Sequence, residues 1–278
     1  MTLRYTGWLL LVVACLFARP ADAVFVTFSA GGDATPASIQ PTVDSFRAAL
    51  GNPNNGNAAG PVAGGRREIN WDGGGAVTAT PVGTPMTTFQ NTRGATMTTP
   101  GTGFLQTPLD DPALTNINAS YATEFGTFSA LRIFTPLGSN ITDVTFSLPG
   151  SSGAIPATVA GFGAVFSDVD TNATQIEFFD LGNNSIFAAA VPTDSVSDAG
   201  LSFLGAVANA GEQIARVRIT TGNSDLGPND TSGDPADIVV MDDFLYAEPL
   251  AVPEPTSAAL GLLGLIGVVT LRRRQRKA

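Results

Sequence analysis

Short apolar runs, each broken by turn residues before it can grow into a helix, are the feature that most limits what this chain can fold into. Val144, Phe146 and Leu148 alternate with Asp143, Thr145 and Ser147, and Ala215, Val217 and Ile219 alternate with Arg216, Arg218 and Thr220. That is the period-2 pattern of strands with one buried face. Further runs of strand composition lie at 24–28, 130–134, 161–169, 175–180, 185–190, 201–204 and 238–246, separated by clusters of Gly, Pro, Asn, Asp and Ser. Such regular spacing predicts an all-β fold, a jelly-roll-like β-sandwich, over a parallel α/β sheet. One short helix is expected over Thr42 to Leu50, where Val43, Phe46 and Leu50 share a face. Residues 51–115, Asn/Gly-rich and then Thr/Pro-rich, read as long surface loops and irregular edge strands.

Composition removes several chemistries. The 278 residues include no His and a single Cys, so there is no Ser-His-Asp triad, no His-based metal site and no imidazole acid–base group. The Cys, Cys15, sits in an N-terminal apolar run, which leaves the remainder without a disulfide or a thiolate nucleophile. Chemistry in the body must therefore rest on carboxylates, Arg, Tyr, hydroxyls or backbone.

The two ends divide the chain into three parts. Residues 1–23 carry Arg4, an apolar stretch from Trp8 to Phe17 and then Ala21-Asp22-Ala23, the layout of a secretory signal peptide with its helix and cleavage site. Its apolar run is about half of the roughly 20 residues that a membrane span needs. Val12 to Cys15 also loosely matches a lipobox, an alternative in which Cys15 would be acylated. Residues 252–278 begin with Pro253, Glu254 and Pro255, continue through an uncharged segment from Thr256 to Leu271, and end in Arg272, Arg273, Arg274, Arg276 and Lys277. An apolar helix followed by a basic cluster inserts with its C-terminus in the cytoplasm. It is short for a span, so its arginines would snorkel to the headgroups.

A VPEP sequence, a short Gly/Leu-rich helix and a terminal Arg cluster together resemble the PEP-CTERM sorting signal. The resemblance implies an exported protein of a Gram-negative bacterium that makes extracellular polysaccharide, destined for the cell surface, outer membrane or extracellular matrix. It also implies exosortase, an integral-membrane cysteine enzyme, as the partner that recognises Pro253, Glu254 and Pro255 and processes the chain nearby. The alternative for this segment is an ordinary C-terminal anchor behind a proline-containing linker.

The body, 24–251, holds seven arginines against 22 acids, a net charge of −15. Such a surface repels nucleic acid and anionic lipid and suits secretion or divalent-cation binding. Asp168, Asp170 and Asn172 alternate after an apolar run, so in an extended segment three oxygen-bearing side chains face one way, as Ca²⁺ requires. The segment departs from an EF-hand loop, with Ala173 at the place of the turn Gly and Phe179 at that of the bidentate Glu. An Asx-rich turn is its alternative. Asp242 and Asp243 sit inside a run of strand composition, so a regular strand must bury one of them, and a buried carboxylate needs an Arg, backbone donors or a cation. Jelly-roll carbohydrate-binding modules often hold a structural Ca²⁺ near such a position. A β-bulge that turns both outward is the other expectation. The loop 223–237, with Asp225, Asp230, Asp234 and Asp237, offers further ligands or is simply solvated. Asn70, Trp71 and Asp72 could form a glycan contact, the indole stacking on a sugar and its neighbours bonding hydroxyls; the alternative is a core Trp beside an Arg–acid pair.

Two functions follow as expectations. The first is a non-enzymatic surface or biofilm-matrix protein, delivered by exosortase, whose body binds extracellular polysaccharide or serves structurally. The second is a carboxylate-based enzyme acting on polysaccharide, which would need two carboxyls about 5 to 9.5 Å apart across a cleft. The body has only Glu68, Glu124, Glu177, Glu212 and Glu248 to add to its aspartates, and no spacing among them selects a pair.

Overall fold

Alternation does produce the strands, and the runs at 24–28, 130–134 and 201–204 extend beyond their expected ends. The structure, a computed structural model, describes residues 24–73, 81–228 and 235–252. The signal-like segment, the Pro253-Glu254-Pro255 motif, the apolar segment behind it and the basic tail lie outside the described residues, as do Asp230 and Asp234. The strands are β1 (Phe25–Gly31), β2 (Arg66–Ile69), β3 (Val82–Gly83), β4 (Ala95–Thr98), β5 (Gly103–Pro108), β6 (Arg132–Leu137), β7 (Ile141–Phe146), β8 (Ala157–Thr158), β9 (Gly161–Ser167), β10 (Gln175–Phe179), β11 (Ser185–Ala190), β12 (Leu201–Ala208), β13 (Arg216–Thr220), β14 (Val240–Ala247) and β15 (Leu250–Ala251). The helices are α1 (Pro36–Leu50), α2 (Gln90–Arg93), α3 (Pro112–Thr115) and α4 (Tyr121–Glu124).

Every pairing between strands is antiparallel. One sheet of eight strands runs β1-β12-β9-β14-β6-β5-β3, with β2 also on β14, and a second of five runs β11-β10-β13-β7-β4. From β6 onward the chain passes between the two sheets repeatedly, β6 to β7, β9 to β10, β12 to β13 and back to β14. This is the sandwich expected from the sequence. Its inner layer contains Val144, Phe146, Phe162, Ile176, Phe178, Val217 and Ile219, all buried.

The larger sheet is covered on its other side too. β9 and β14 have no exposed residue; α1 packs over β1 and β12, and Leu114, Tyr121 and Phe125 cluster with Val240. Phe46 on α1 lies on Gly163 and Gly205, which pair across β9 and β12, and its ring is flanked by Phe28 and Phe203. A Cβ on either glycine would come within 2.8 Å of the Phe46 ring. Glycine in mid-strand here makes the seat for the helix.

Two expectations need correction. α1 starts at Pro36, ahead of the expected Thr42, and runs through Pro41. Pro36 occupies the first turn, where no N–H is needed, and Pro41 stands on the exposed side while Ile39, Val43, Phe46 and Leu50 are buried. The stretch 51–115 is also more ordered than expected. β5 is an interior strand between β6 and β3, and β2 lies on the central β14. Phe104 and Leu105 are both fully buried although they point to opposite faces, which removes the alternation that would have marked the strand.

Candidate functional site

Three places in the body gather chemistry. The first is where β14 breaks register. The pairing with β9 shifts between Met241 and Phe244, and this bulge turns both intervening acids inward, leaving Asp242 0% and Asp243 2% exposed. The expected bulge is present, but it does not expose them. Asp242 Oδ2 accepts the N–H groups of Phe128 (2.7 Å) and Ser129 (3.1 Å), which is the backbone compensation a buried carboxyl needs. The Ser129 hydroxyl lies 2.8 Å from Asp243 Oδ1, 3.2 Å from Asp242 Oδ1 and 3.1 Å from Asp72 Oδ2. It has one hydrogen for three carboxyls. Burial first, and then the charge of Asp243, hold Asp242 well above the usual carboxylate range. Asp243 is raised by burial as well, against the pull of Ser129 and of Arg47, whose Nη2 lies 3.4 Å away. Arg47 also pairs with Glu68 at 3.1 Å.

Trp71 belongs to this network as a core residue. It is 1% exposed, stacks on Phe134 at 3.8 Å with parallel rings, and donates Nε1–H to the Asp242 carbonyl at 2.9 Å. Its indole therefore presents no face to a sugar, which corrects the expected glycan contact. Asp72 is likewise turned to structural use, its Oδ1 accepting the N–H groups of Leu131 (2.5 Å) and Arg132 (3.0 Å), and Asn70 donates to Asp72 Oδ2 at 3.1 Å.

The second place surrounds Asp168, at the end of β9. Asp168 is buried, whereas Asp170 and Asn172 are exposed, so the three do not face one way as a regular strand would set them. Asp168 adopts φ = 69°, a left-handed backbone that ends the strand's alternation. Burial, followed by the charges of Asp170, Glu124, Asp194 and Asp198, pushes its carboxyl up to about 9. Among the described residues, no group of three or more Cys, Asp or Glu side chains is gathered tightly enough to hold a metal ion directly. Asp237 is buried and caps the 168–172 turn, accepting the Thr171 hydroxyl and, at 3.4 Å, the Asp170 N–H.

The third is the outer face of the five-stranded sheet. Registration puts Glu177, Arg218, Asp143 and Thr98 in one row across β10, β13, β7 and β4, and Phe179, Arg216, Thr145 and Thr96 in the next. Asp143 joins the rows, bonded to Arg216 at 2.6 Å and bidentately to Arg218 at 3.0 and 2.8 Å. Hydrogen bonding to Asp143 is the main cause that raises Arg218. Arg216 also stacks 3.6 Å over the Phe179 ring.

Several members of these groups carry no local signal. Ser129 reaches Asp242 across a sequence separation of 113, and Asp194 and Asp198 come to Asp168 only through the fold. The Arg216 and Arg218 alternation was visible, but its cross-strand partner Asp143 was not.

The body closes without a linker. Val252 N–H still donates to the Pro156 carbonyl at 3.1 Å after β15 pairs with β8. Among the described residues no helix is long and apolar enough to cross a membrane. After the antiparallel sandwich the sequence continues with Pro253, Glu254 and Pro255, an apolar stretch and a basic end. The family model for the PEP-CTERM protein-sorting motif matches residues 251–277. The chain is thus a PEP-CTERM-containing exported protein, a substrate of exosortase processed at the membrane. No curated protein and no solved structure matches the chain.

Proposed function

We propose that the body is a non-catalytic polysaccharide-binding or structural module, acting at the cell surface or in the extracellular matrix of a Gram-negative bacterium, with the outer face of the five-stranded sheet as its contact surface. The observation that carries this reading is the double row on that face. Arg218, Glu177, Asp143, Thr96, Thr98 and Thr145 are donors and acceptors spaced on an antiparallel lattice, which suits the hydroxyls of an extended sugar chain. The ion pairs that link Arg216 and Arg218 through Asp143 fix the side chains in advance, so less rotamer entropy is lost on binding. The net charge of −15 for the body argues against nucleic acid as the partner and for a neutral glycan.

Retention of the full chain on polysaccharide from the producing cells tests the reading. Arg218→Ala combined with Glu177→Ala is expected to weaken retention by roughly tenfold, since two or three polar contacts are lost. No release of reducing ends should accompany binding. Retention that the double variant leaves unchanged would remove the face from the proposal, and hydrolysis of the polymer would replace it with an enzyme.

A further inference from the structure

Asp168 is a carboxyl buried with an unsatisfied oxygen. It is 5% exposed, and its Oδ1 is enclosed without a hydrogen-bond partner. The chain around it is arranged so that the surroundings are acidic. Asp168 N–H donates to the Gly200 carbonyl at 2.9 Å, which fastens the 194–200 loop to the end of β9. Val169 N–H donates to Asp194 Oδ2 at 3.0 Å, and Asp194 N–H returns to the Val169 carbonyl at 3.0 Å. The Asp194 carboxyl lies over Gly200 so closely that a Cβ there would come within 2.1 Å of its carbon. From a third segment, the Glu124 carbonyl accepts Ala199 N–H at 2.6 Å. Two residues beyond Asp168, Asp170 stands at the protein surface.

Five of the seven arginines of the body are committed elsewhere. Arg47, Arg66, Arg67, Arg216 and Arg218 make their ion pairs with Asp44, Glu68, Asp143, Asp243 and Glu248. Among the described residues, Asp168, Asp170, Asp194 and Asp198 form no ion pair. Burial first, and then the charges of the neighbouring acids, raise the Asp168 carboxyl. A buried carboxyl with an orphan oxygen, beside several acids and no arginine, is satisfied either by a proton or by a cation from solution.

We propose that Asp168 and Asp170 bind a hard divalent cation of the calcium class, Asp168 from the interior and Asp170 from the surface, inside the negative field of Asp194, Asp198 and Glu124. Calcium takes six to eight oxygens and accepts water among them, so two carboxylates suffice where three do not converge. The exposed side gives the ion entry and leaves part of its shell hydrated. Affinity should fall in the range of extracellular modules, with Kd about 10⁻⁴ to 10⁻³ M. The proposal stands apart from the polysaccharide surface, on a different group of residues.

Thermal melts and calorimetric titration of the full chain in detergent, with EDTA and then with about 10 mM CaCl₂, test it. Ion bound only by the native state raises Tm, here by roughly 3–6 °C. Asp168→Asn keeps the shape, removes the charge and should abolish both the rise and the titration heat. Asp170→Asn, at the surface and without effect on the core, should reduce both, while the exposed Asp110→Asn and the binding-face variant Arg218→Ala should keep them. Absence of a calcium response in the unaltered chain overturns the proposal. So does a rise that survives Asp168→Asn, or one reproduced by NaCl of equal ionic strength. If Asp168→Asn does not fold, an undiminished response in Asp170→Asn is the overturning result.

Discussion

Arg67 shows how this fold spends its few cations. Fully buried on β2, it holds Glu248 with two bonds of 2.7 Å and donates Nη1 to the carbonyls of Gly56 and Thr92 at 2.9 Å each. Replacing it with Met should cost about 3–5 kcal/mol, because Glu248 would remain buried without its partner; urea unfolding reads this directly. Replacing both partners with apolar residues should recover much of the loss. Asp168 leads to a pH dependence of definite sign. Its carboxyl is pushed up to about 9 in the folded protein from an ordinary value of 3.8. Between those values the unfolded chain ionises while the folded one holds the proton, so in EDTA stability falls as pH rises from about 4 to about 9 and then levels off. Asp168→Asn should flatten that slope and be the more stable protein at pH 8, as melts across the range would show. Asp168 stands out in the sequence as an acid in an alternating run, but its burial does not, and nor does that of Arg67. Arg67 stands in an Arg-Arg-Glu string that looks like a solvated charge run, and its partner is 181 positions away.

At the level of elements, the seat of α1 is the most sensitive packing feature. Gly163→Ala or Gly205→Ala would force a methyl into the Phe46 ring and should cost about 1–3 kcal/mol, whereas Phe46→Ala should cost about 3–5 kcal/mol by leaving a cavity. Because the partners touch, Gly163→Ala combined with Phe46→Leu should be less harmful than the sum of the two, a coupling that a double-mutant cycle by denaturant unfolding measures. Strands with one wet face, such as β7 and β13, were legible because burial there alternates. β5 and β9 were harder to delimit since both of their faces are covered. α1 illustrates the same limit from the other side, with Pro41 marking a boundary that the packing of Ile39 overrides. Parity within β14 did reveal that Asp242 or Asp243 must be buried. What it could not reveal was that Phe128, Ser129 and Arg47, from distant segments, would supply enough donors to bury both.

For the whole molecule, the sequence was clearest at its ends and quietest in its middle: the sorting segment is a contiguous string, while the body's groups are assembled from strands far apart in the chain. The junction between them is testable. Removing residues 253–278 should leave the melt of the body almost unchanged, and removing 250–278 should lower stability by about 1–3 kcal/mol, because β15 and the Val252 bond to Pro156 are lost.

That bond also sets a distance. Only Pro253, Glu254 and Pro255 separate the anchored Val252 from the apolar segment, and three residues reach at most roughly 10 Å. With the apolar segment inserted in a membrane, the body would ride within about one Debye length of the headgroups. A domain carrying −15 is pressed there against any anionic leaflet like a spring under load. A cut at the motif would let that repulsion carry the body outward, and the same charge would oppose its return.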